Sequence, residues 1–214
     1  INMKNINSMK IKIFADGADK SDMLDMNSRD YIKGLTTNPT LMKKAGITDY
    51  KSFCIDILKT INKKPLSFEV FSDDFEIMEK QAREISTWGE NVYVKIPVMN
   101  SDAKDSYNLI KKLAKDRIKM NITAIMTTKQ VSEVLENLDP NVPSFISVFA
   151  GRIADTGVDP IKIMEDSLKL MQVNKSSELI WASPREVLNV IQADEIGCHI
   201  ITVTKDIIKK FSNL

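Results

Sequence analysis

The sequence predicts an α/β fold, a single-domain (β/α)8 TIM barrel, and three observations support this. Short β-branched or apolar runs typical of strands occur eight times, and segments with helical spacing lie between them. This alternation indicates parallel β–α–β crossovers. The length of 214 residues is at the short end of the range for this fold, about 200 to 400 residues. In chain order, the predicted strands cover residues 11–16, 34–38, 66–70, 92–98, 120–125, 144–150, 179–183 and 199–203.

Helical spacing is clearest in four of the intervening segments, namely residues 73–86, 102–116, 127–138 and 159–172. Ala103 belongs to the apolar face predicted for the second segment, and Pro160 stands at a first helical position in the fourth. A doubly wound open sheet is the competing fold. No GxGxxG motif follows the first strand and no GxxxxGK[ST] motif occurs, which favours the barrel.

No linker, low-complexity stretch or charge block divides the chain, so residues 1–214 are predicted to form one domain. The polar residues 1–8 are a possible extension ahead of Met9, and the N-terminus lacks the apolar core of a signal peptide. Cys54 and Cys198 are far apart and form no CxxC motif. Two isolated thiols favour a reducing compartment, so a cytoplasmic protein is expected.

The charge balance argues against two classes of partner. Thirty basic residues face 29 acidic residues, which gives no electrostatic basis for dedicated binding of nucleic acid or an anionic membrane. No apolar run approaches the roughly 20 residues of a membrane-spanning helix. The single histidine, His199, opens an apolar run and is expected to be structural. A site with several histidine ligands is impossible, and no metal is expected.

Polar residues concentrate where a barrel places its chemistry, at the carboxyl ends of the strands. Seven of the eight predicted strands contribute at least one. Burying such groups is costly unless they are hydrogen-bonded or hydrated, so their convergence predicts a site. The residues are Asp16, Thr36, Thr37, Asn38, Ser67, Glu69, Lys95, Asn121, Thr123, Ser147, Arg152, Ser183 and Arg185.

Lys95 is the most informative of these, because it interrupts the apolar strand 92–98. Burial disfavours the charged form of a lysine and makes its amine nucleophilic near neutral pH. Such an amine forms a Schiff base with a carbonyl substrate. Glu69 and Asp16 are then candidates for proton transfer, and Arg152 and Arg185 offer the planar forks that bind a phosphate.

Each residue also has a structural explanation. Lys95 and Glu69 would serve equally as a structural ion pair. Asp16 and the segment 36–40 contain residues that cap helices or favour turns. Arg185 is also compatible with a solvent-exposed position in the first turn of a helix.

Taken together, the motifs resemble those of the transaldolases, specifically the small subfamily that also contains the fructose-6-phosphate aldolases. The resemblance runs in the family's order from Phe14 to about Glu186, and the combination of TTNP with a later VKIPV is its most specific part. The matching segments are FADGAD (14–19), GLTTNPT (34–40), SFEV (67–70), VYVKIPV (92–98), NIT (121–123), SVFAGR (147–152) and WASPRE (181–186).

This resemblance implies a (β/α)8 barrel in which Lys95 forms the Schiff base, without a metal or organic cofactor. It implies that Asp16 exchanges a proton with the substrate hydroxyl during cleavage. Glu69, with Thr123 holding a water, would assist formation and dehydration of the carbinolamine, and Thr36 would support the water network.

The resemblance also implies a binding role for seven further residues, with sugar phosphates as the partners. The three-carbon dihydroxyacetone portion would be contacted by Asn38, Asn121 and Ser147. The phosphate would be held by Arg152, Ser183 and Arg185. Phe149 would line the site.

Glu69 and Phe149 bear on which reaction the resemblance implies. In the fructose-6-phosphate aldolases the first position is usually glutamine and the second tyrosine. A phenol there helps water release the bound three-carbon unit, and its absence lets the covalent intermediate wait for an acceptor. Transfer is therefore favoured over release of free dihydroxyacetone. A non-catalytic barrel that binds sugar phosphates is a further alternative.

Two features depart from the family pattern. The resemblance implies a homo-oligomer. Small members usually continue through another helix beyond the point where this sequence ends, and that helix often packs on a neighbour in pentamers or decamers. Either the sequence is truncated or partly ordered, or its assembly differs from that of the family. Pro184 replaces an aromatic residue frequent in relatives, which affects the expected phosphate affinity.

Overall fold

The protein is described by a computed structural model that covers residues 5–17 and 19–212. Eight parallel strands form a closed barrel in the order β1 to β8, which confirms the predicted fold. The strands are β1 Lys12–Gly17, β2 Ile32–Thr37, β3 Leu66–Glu69, β4 Val92–Pro97, β5 Met120–Ile125, β6 Ser144–Val148, β7 Ser177–Trp181 and β8 Ile200–Val203. Residues 1–4 of the predicted extension lie outside the described residues.

Ten α-helices connect and surround these strands in the described part of the chain. They are α1 Lys20–Asn27, α2 Pro39–Lys44, α3 Tyr50–Leu58, α4 Phe75–Ser86, α5 Tyr107–Lys115, α6 Thr128–Asn137, α7 Ala150–Asp155, α8 Pro160–Leu170, α9 Val187–Glu195 and α10 Lys205–Ser212. Side chains cap several of them as the sequence predicts. Thr127 and Gln130 form a reciprocal capping box on α6, and Pro160 occupies the first position of α8.

The predicted and observed bounds differ at several elements, and three of these differences change the place of a residue named above. The helix predicted from residue 102 begins at Tyr107, because Ala103 is exposed and has a φ of 59°, which a helix does not admit. Strand β7 ends at Trp181 rather than at residue 183. Strand β6 ends at Val148, so Phe149 precedes helix α7 instead of lying in the strand.

The apolar core divides into two parts. The larger lies between the strands and the outer helices. The smaller fills the barrel interior and consists of Phe14, Tyr93, Phe145, Ile180, Ala182 and Ile200, with Phe149 packed against it. The Phe145 ring meets Phe14 edge-on at 5.5 Å and stacks on Tyr93 at 4.2 Å. A Cβ on Gly34 would lie 2.6 Å from Phe14 Cζ, so glycine there leaves room for the ring.

The smaller cluster, called the apolar plug below, determines how far along the barrel axis the polar site lies. Side chains alternate faces along a strand, so residues two positions after the plug also face the barrel interior, nearer its carboxyl end. Asp16 follows Phe14 in this way, and Lys95 follows Tyr93. Parallel register places Lys95 between Glu69 on β3 and Asn121 on β5.

Several remaining predictions have a structural counterpart. His199 Nδ1 accepts a hydrogen bond from the Leu179 backbone N–H at 2.8 Å, which is the structural role expected for it. Cys54 and Cys198 are buried free thiols. In the described ranges, no helix has the length and apolar character needed to cross a membrane.

Candidate active site

Lys95 is partly exposed at the carboxyl end of β4. Its Nζ donates a hydrogen bond to the Thr37 carbonyl oxygen at 3.3 Å. Of the ion pairs between described residues, none joins Nζ to a carboxylate within 4.0 Å. The amine is therefore held at the site without a direct ion-pair partner, contrary to the structural pairing with Glu69 that the sequence left open.

Asp16 and Glu69 are the two carboxylates that act on this amine electrostatically. Burial raises the pKa of Asp16, and the charge of Lys95 and the hydrogen bond from Thr36 partly offset this rise. Burial likewise raises the pKa of Glu69, with Lys95 opposing the shift and Asp16 adding to it. Burial therefore makes both carboxyl groups easier to protonate than exposed ones, which suits groups that exchange protons during a reaction.

Thr36 links Asp16 to β8. Its hydroxyl is 3.3 Å from Asp16 Oδ1, to which it donates, and 2.7 Å from the Thr202 hydroxyl. Thr36 is almost fully buried, so this contact is shielded from water. Asp16 is not a helix cap, because Asp19 fills that role for α1.

Asn121 is completely buried, and hydroxyls fix its side chain on both sides. Its Nδ2 donates to Ser67 Oγ at 3.1 Å, and its Oδ1 accepts from Ser147 Oγ at 2.7 Å. The hydrogen bonds assign the amide orientation and leave one N–H of Asn121 for another partner.

Thr123 follows Asn121 on β5 at the next inward position. Its Oγ1 is buried and has no hydrogen-bond partner among the described protein atoms. A buried hydroxyl at a polar site is a suitable anchor for a bound water.

The mouth of the barrel carries the two predicted arginines. The Arg152 guanidinium lies 4.9 Å from the centre of the Phe149 ring. Arg185 Nη2 is 2.6 Å from Asp155 Oδ2, and this hydrogen bond holds the pKa of the Asp155 carboxyl below its usual range. Both arginines are exposed, so an anion at the mouth is within their chemistry.

The loop after β7 brings the second arginine to this mouth through an unusual backbone contact. Ser183 adopts a φ of 57°, in the left-handed region that non-glycine residues rarely occupy. A Cβ on Gly151 would lie 1.5 Å from the Ser183 carbonyl oxygen, so only glycine allows this approach. Gly151 therefore ties the start of α7 to the loop that carries Arg185.

Asn38 has the structural role that the sequence left open for it. Its Oδ1 caps α2 by accepting from the backbone N–H groups of Thr40 and Leu41. It also lines the cavity, where its side-chain N–H2 remains a donor.

A cavity of about 150 Å³ opens at this end of the barrel. Eight of the twelve predicted site residues line it: Asp16, Thr36, Asn38, Lys95, Phe149, Arg152, Ser183 and Arg185. Glu69, Asn121, Thr123 and Ser147 do not, and Asn121, Thr123 and Ser147 are buried.

Thr202 and Thr204 line the same cavity and were missed by the sequence reasoning. Thr202 stands two residues after Ile200, which belongs to the apolar plug, so the period of two would have identified it. With Thr202 included, each of the eight strands, or the loop that directly follows it, contributes a polar group to this end of the barrel.

No group of three or more histidine, cysteine, aspartate or glutamate side chains suited to a metal occurs in residues 5–17 and 19–212. The site therefore contains an amine that can act as a nucleophile, two carboxyl groups that can exchange protons, and two guanidinium groups at its entrance.

Comparisons with known proteins identify a family and several relatives of this chain. A family model described as Transaldolase/Fructose-6-phosphate aldolase matches residues 13–214. A protein named "Probable transaldolase" from Thermoanaerobacter sp. (strain X514) is 34% identical over 197 residues, covering 90% of this chain and 85% of the relative. A protein of the same name from Methanococcus maripaludis (strain C7 / ATCC BAA-1331) is 32% identical over 204 residues, covering 95% and 90%.

A solved structure adds evidence on the fold alone. The crystal structure of 2,3-dimethylmalate lyase, a PEP mutase/isocitrate lyase superfamily member, superposes with a TM-score of 0.61. It covers 92% of this chain and 77% of that protein at 10% sequence identity. The likeness is therefore one of barrel architecture.

Proposed function

The chain belongs to the Transaldolase/Fructose-6-phosphate aldolase family, and on that premise we propose that it is a transaldolase acting through a Schiff base on Lys95. The observation that carries the proposal is the placement of Lys95. Its amine lines a cavity, has no direct ion-pair partner among the described residues, and acts electrostatically on Asp16 and Glu69.

The reaction begins when Lys95 Nζ attacks the ketone carbon of a ketose phosphate, such as fructose 6-phosphate or sedoheptulose 7-phosphate. The carbinolamine that forms loses water to give a protonated imine. Glu69 supplies and removes protons in this step through a water held by the unpartnered hydroxyl of Thr123.

Cleavage follows at the C3–C4 bond. Asp16 removes the proton from the C4 hydroxyl, the C3–C4 electron pair moves toward the iminium nitrogen, and an aldose phosphate leaves. The three-carbon unit remains on Lys95 as an enamine. It attacks the aldehyde of an acceptor such as erythrose 4-phosphate or glyceraldehyde 3-phosphate, Asp16 returns its proton to the new hydroxyl, and water hydrolyses the imine.

Binding of the substrate is divided between the barrel interior and its mouth. We propose that Asn38, Asn121 and Ser147 hold the hydroxyls of the three-carbon unit, with Thr36 supporting the water network. Arg152, Ser183 and Arg185 hold the phosphate. For Arg185 this requires the phosphate to compete with Asp155, its ion-pair partner at 2.6 Å.

Phe149 favours transfer over release. Its ring lines the cavity and packs beside Arg152, and it has no hydroxyl to deliver a proton to the enamine. The intermediate then persists until an aldehyde arrives. An aldolase that releases free dihydroxyacetone is the second candidate, favoured by the cavity being open at the mouth, where water has access.

Omission of the acceptor separates these candidates. The enzyme is mixed with a ketose phosphate and the released aldose phosphate is followed with and without acceptor. A transaldolase releases one equivalent per site and stops until acceptor is added, whereas an aldolase continues to turn over. Release equal to that of Lys95→Ala under both conditions would instead indicate a barrel that only binds sugar phosphates.

We propose sugar phosphates as the only partners besides further copies of this chain in a homo-oligomer, and the cytoplasm as the location. Neither nucleic acid nor membrane is expected to bind, because the 30 basic and 29 acidic residues nearly balance.

A further inference from the structure

Thr202 on β8 is linked to Asp16 through the Thr36 hydroxyl, yet the proposed mechanism gives it no role. Strand β1 lies between β2 and β8, and Thr36 and Thr202 meet on the inner side of β1 through a 2.7 Å hydroxyl contact. Thr36 in turn reaches Asp16. Three neighbouring strands are thus connected through one chain of polar groups.

The number of hydroxyl protons decides which group donates in each of these hydrogen bonds. An ionised carboxylate accepts hydrogen bonds only, so Thr36 donates its single hydroxyl proton to Asp16. The close contact between Thr36 and Thr202 then requires that Thr202 be the donor. Thr202 strengthens the bond from Thr36, because a hydroxyl that accepts a hydrogen bond is a better donor.

We infer that Thr202 is a positioning residue for Asp16, which it orients and keeps ionised by donating through Thr36, ready to take the proton of the substrate hydroxyl. The inference rests on the proposed function. Thr202 does not itself touch the reacting atoms in this account, so its effect must be read through Asp16.

Several charged side chains interact with Asp16 or share its cavity. Lys95 on β4 and Glu69 on β3 interact with it electrostatically, and Arg152 and Arg185 share its cavity. Outside β1, helices α1 and α10 pack against the strand, and there Asp22 and Lys205 neutralise each other at 2.6 Å. None of these groups is altered by a substitution at Thr202, so the variant isolates the hydroxyl chain.

The test is the pH dependence of kcat/KM for cleavage of a ketose phosphate in the presence of acceptor. Asp16 acts as a base only when ionised, so activity falls as the pH falls through its pKa. Thr202→Val preserves shape and removes the donor, which raises that pKa. We expect the acidic limb to move to higher pH by about 0.5 to 1 unit, and Thr202→Ser to restore the original limb.

Ser177→Ala is the control. Ser177 also has a buried hydroxyl on a barrel strand, but it lies at the first position of β7 and donates to the Asn174 carbonyl oxygen at 3.0 Å, outside the series of hydrogen bonds that reaches Asp16. If Thr202 had only a structural role, Thr202→Val and Ser177→Ala would both lose thermal stability and neither would move the limb. An unmoved limb in Thr202→Val, with wild-type activity dependent on Lys95, would overturn this inference alone. Absence of Lys95-dependent cleavage in the wild type would overturn the proposed function and the inference together.

Discussion

At the scale of single residues, the site combines side chains that protein hydrogen bonds hold in place with a hydroxyl that has no such bond. Asn121 is held by Ser67 and Ser147, whereas the buried hydroxyl of Thr123 has no protein partner among the described residues. A folded protein rarely leaves such a group unsatisfied unless water or a ligand completes it. The contrast separates residues that hold the site in shape from a residue available for the reaction.

Thr123→Val tests this difference. No protein hydrogen bond is lost, so the free energy of unfolding should change by less than about 1 kcal/mol. The rate of Schiff-base formation should fall by about 10- to 100-fold, because the water that serves Glu69 is no longer placed. Urea unfolding and rapid-mixing kinetics measure the two effects.

Ser144 provides the control, since its Oγ is also buried without a protein partner but lies at the first position of β6. Ser144→Ala should leave the rate unchanged. If Thr123→Val reacted at the wild-type rate, the role proposed for the Thr123 hydroxyl would be refuted.

The residue scale also shows where sequence reasoning stops. Lys95, Asp16 and Glu69 were predicted because charged residues interrupt apolar strands at one end. Thr202 was not predicted as a site residue, because threonine is common in strands and the residues beside it are apolar. The pairing of Arg185 with Asp155 escaped for a different reason, since it joins residues 30 positions apart on an exposed rim.

At the scale of elements, the strands were predictable and the helix starts were less so. The run 92–98 has a β-branched residue at every second position, and all four of these residues are buried, namely Val92, Val94, Ile96 and Val98. Helix α5 was predicted too long because Ala103 fits the helical spacing of the apolar face that continues at Leu109, Ile110 and Leu113. In the fold residues 102–106 form a loop in which Asn100 accepts from the backbone N–H groups of Asp102 and Lys104.

The contact between α7 and the loop after β7 is the element-scale feature most closely tied to function. Gly151→Ala would force the Ser183 backbone away, and Arg185 with it, because the added Cβ meets a carbonyl oxygen rather than a flexible side chain. We expect a loss of about 1–3 kcal/mol in the free energy of unfolding. The KM for a phosphorylated ketose should rise at least tenfold.

Measuring KM of Gly151→Ala with a phosphorylated ketose and with the same ketose without phosphate shows whether the substitution impairs phosphate binding at the barrel mouth. The variant should lose most of the preference for the phosphorylated substrate. An equal loss of kcat/KM on both substrates would mean that Gly151 supports the barrel generally and not the phosphate site.

At the scale of the whole molecule, the barrel keeps two partly buried carboxyl groups that oppose its own stability. The pKa of each is raised in the folded state, so between the unfolded value, about 4, and the folded value the native protein binds more protons than the unfolded chain. Stability due to these groups is fully present below about pH 4 and is lost as the pH rises through the folded pKa.

Glu69→Gln should therefore stabilise the protein, and the gain in free energy of unfolding should be larger at pH 8 than at pH 4. Urea titrations at several pH values measure it. Asp166→Asn is a control of opposite sign, because its hydrogen bond to Lys162 lowers the pKa of Asp166. A gain from Glu69→Gln that did not grow with pH would contradict the assigned direction of the Glu69 shift.

The proposed reaction depends on the Lys95 amine at the carboxyl end of β4, and borohydride reduction traps the Schiff base expected there. The protein is incubated with a ketose phosphate, reduced, digested and analysed by mass spectrometry. We expect a stable adduct on the peptide that contains Lys95, and none on the corresponding peptide of Lys95→Ala. Absence of the adduct from the wild type, or an equal adduct on both proteins, would contradict the proposed reaction.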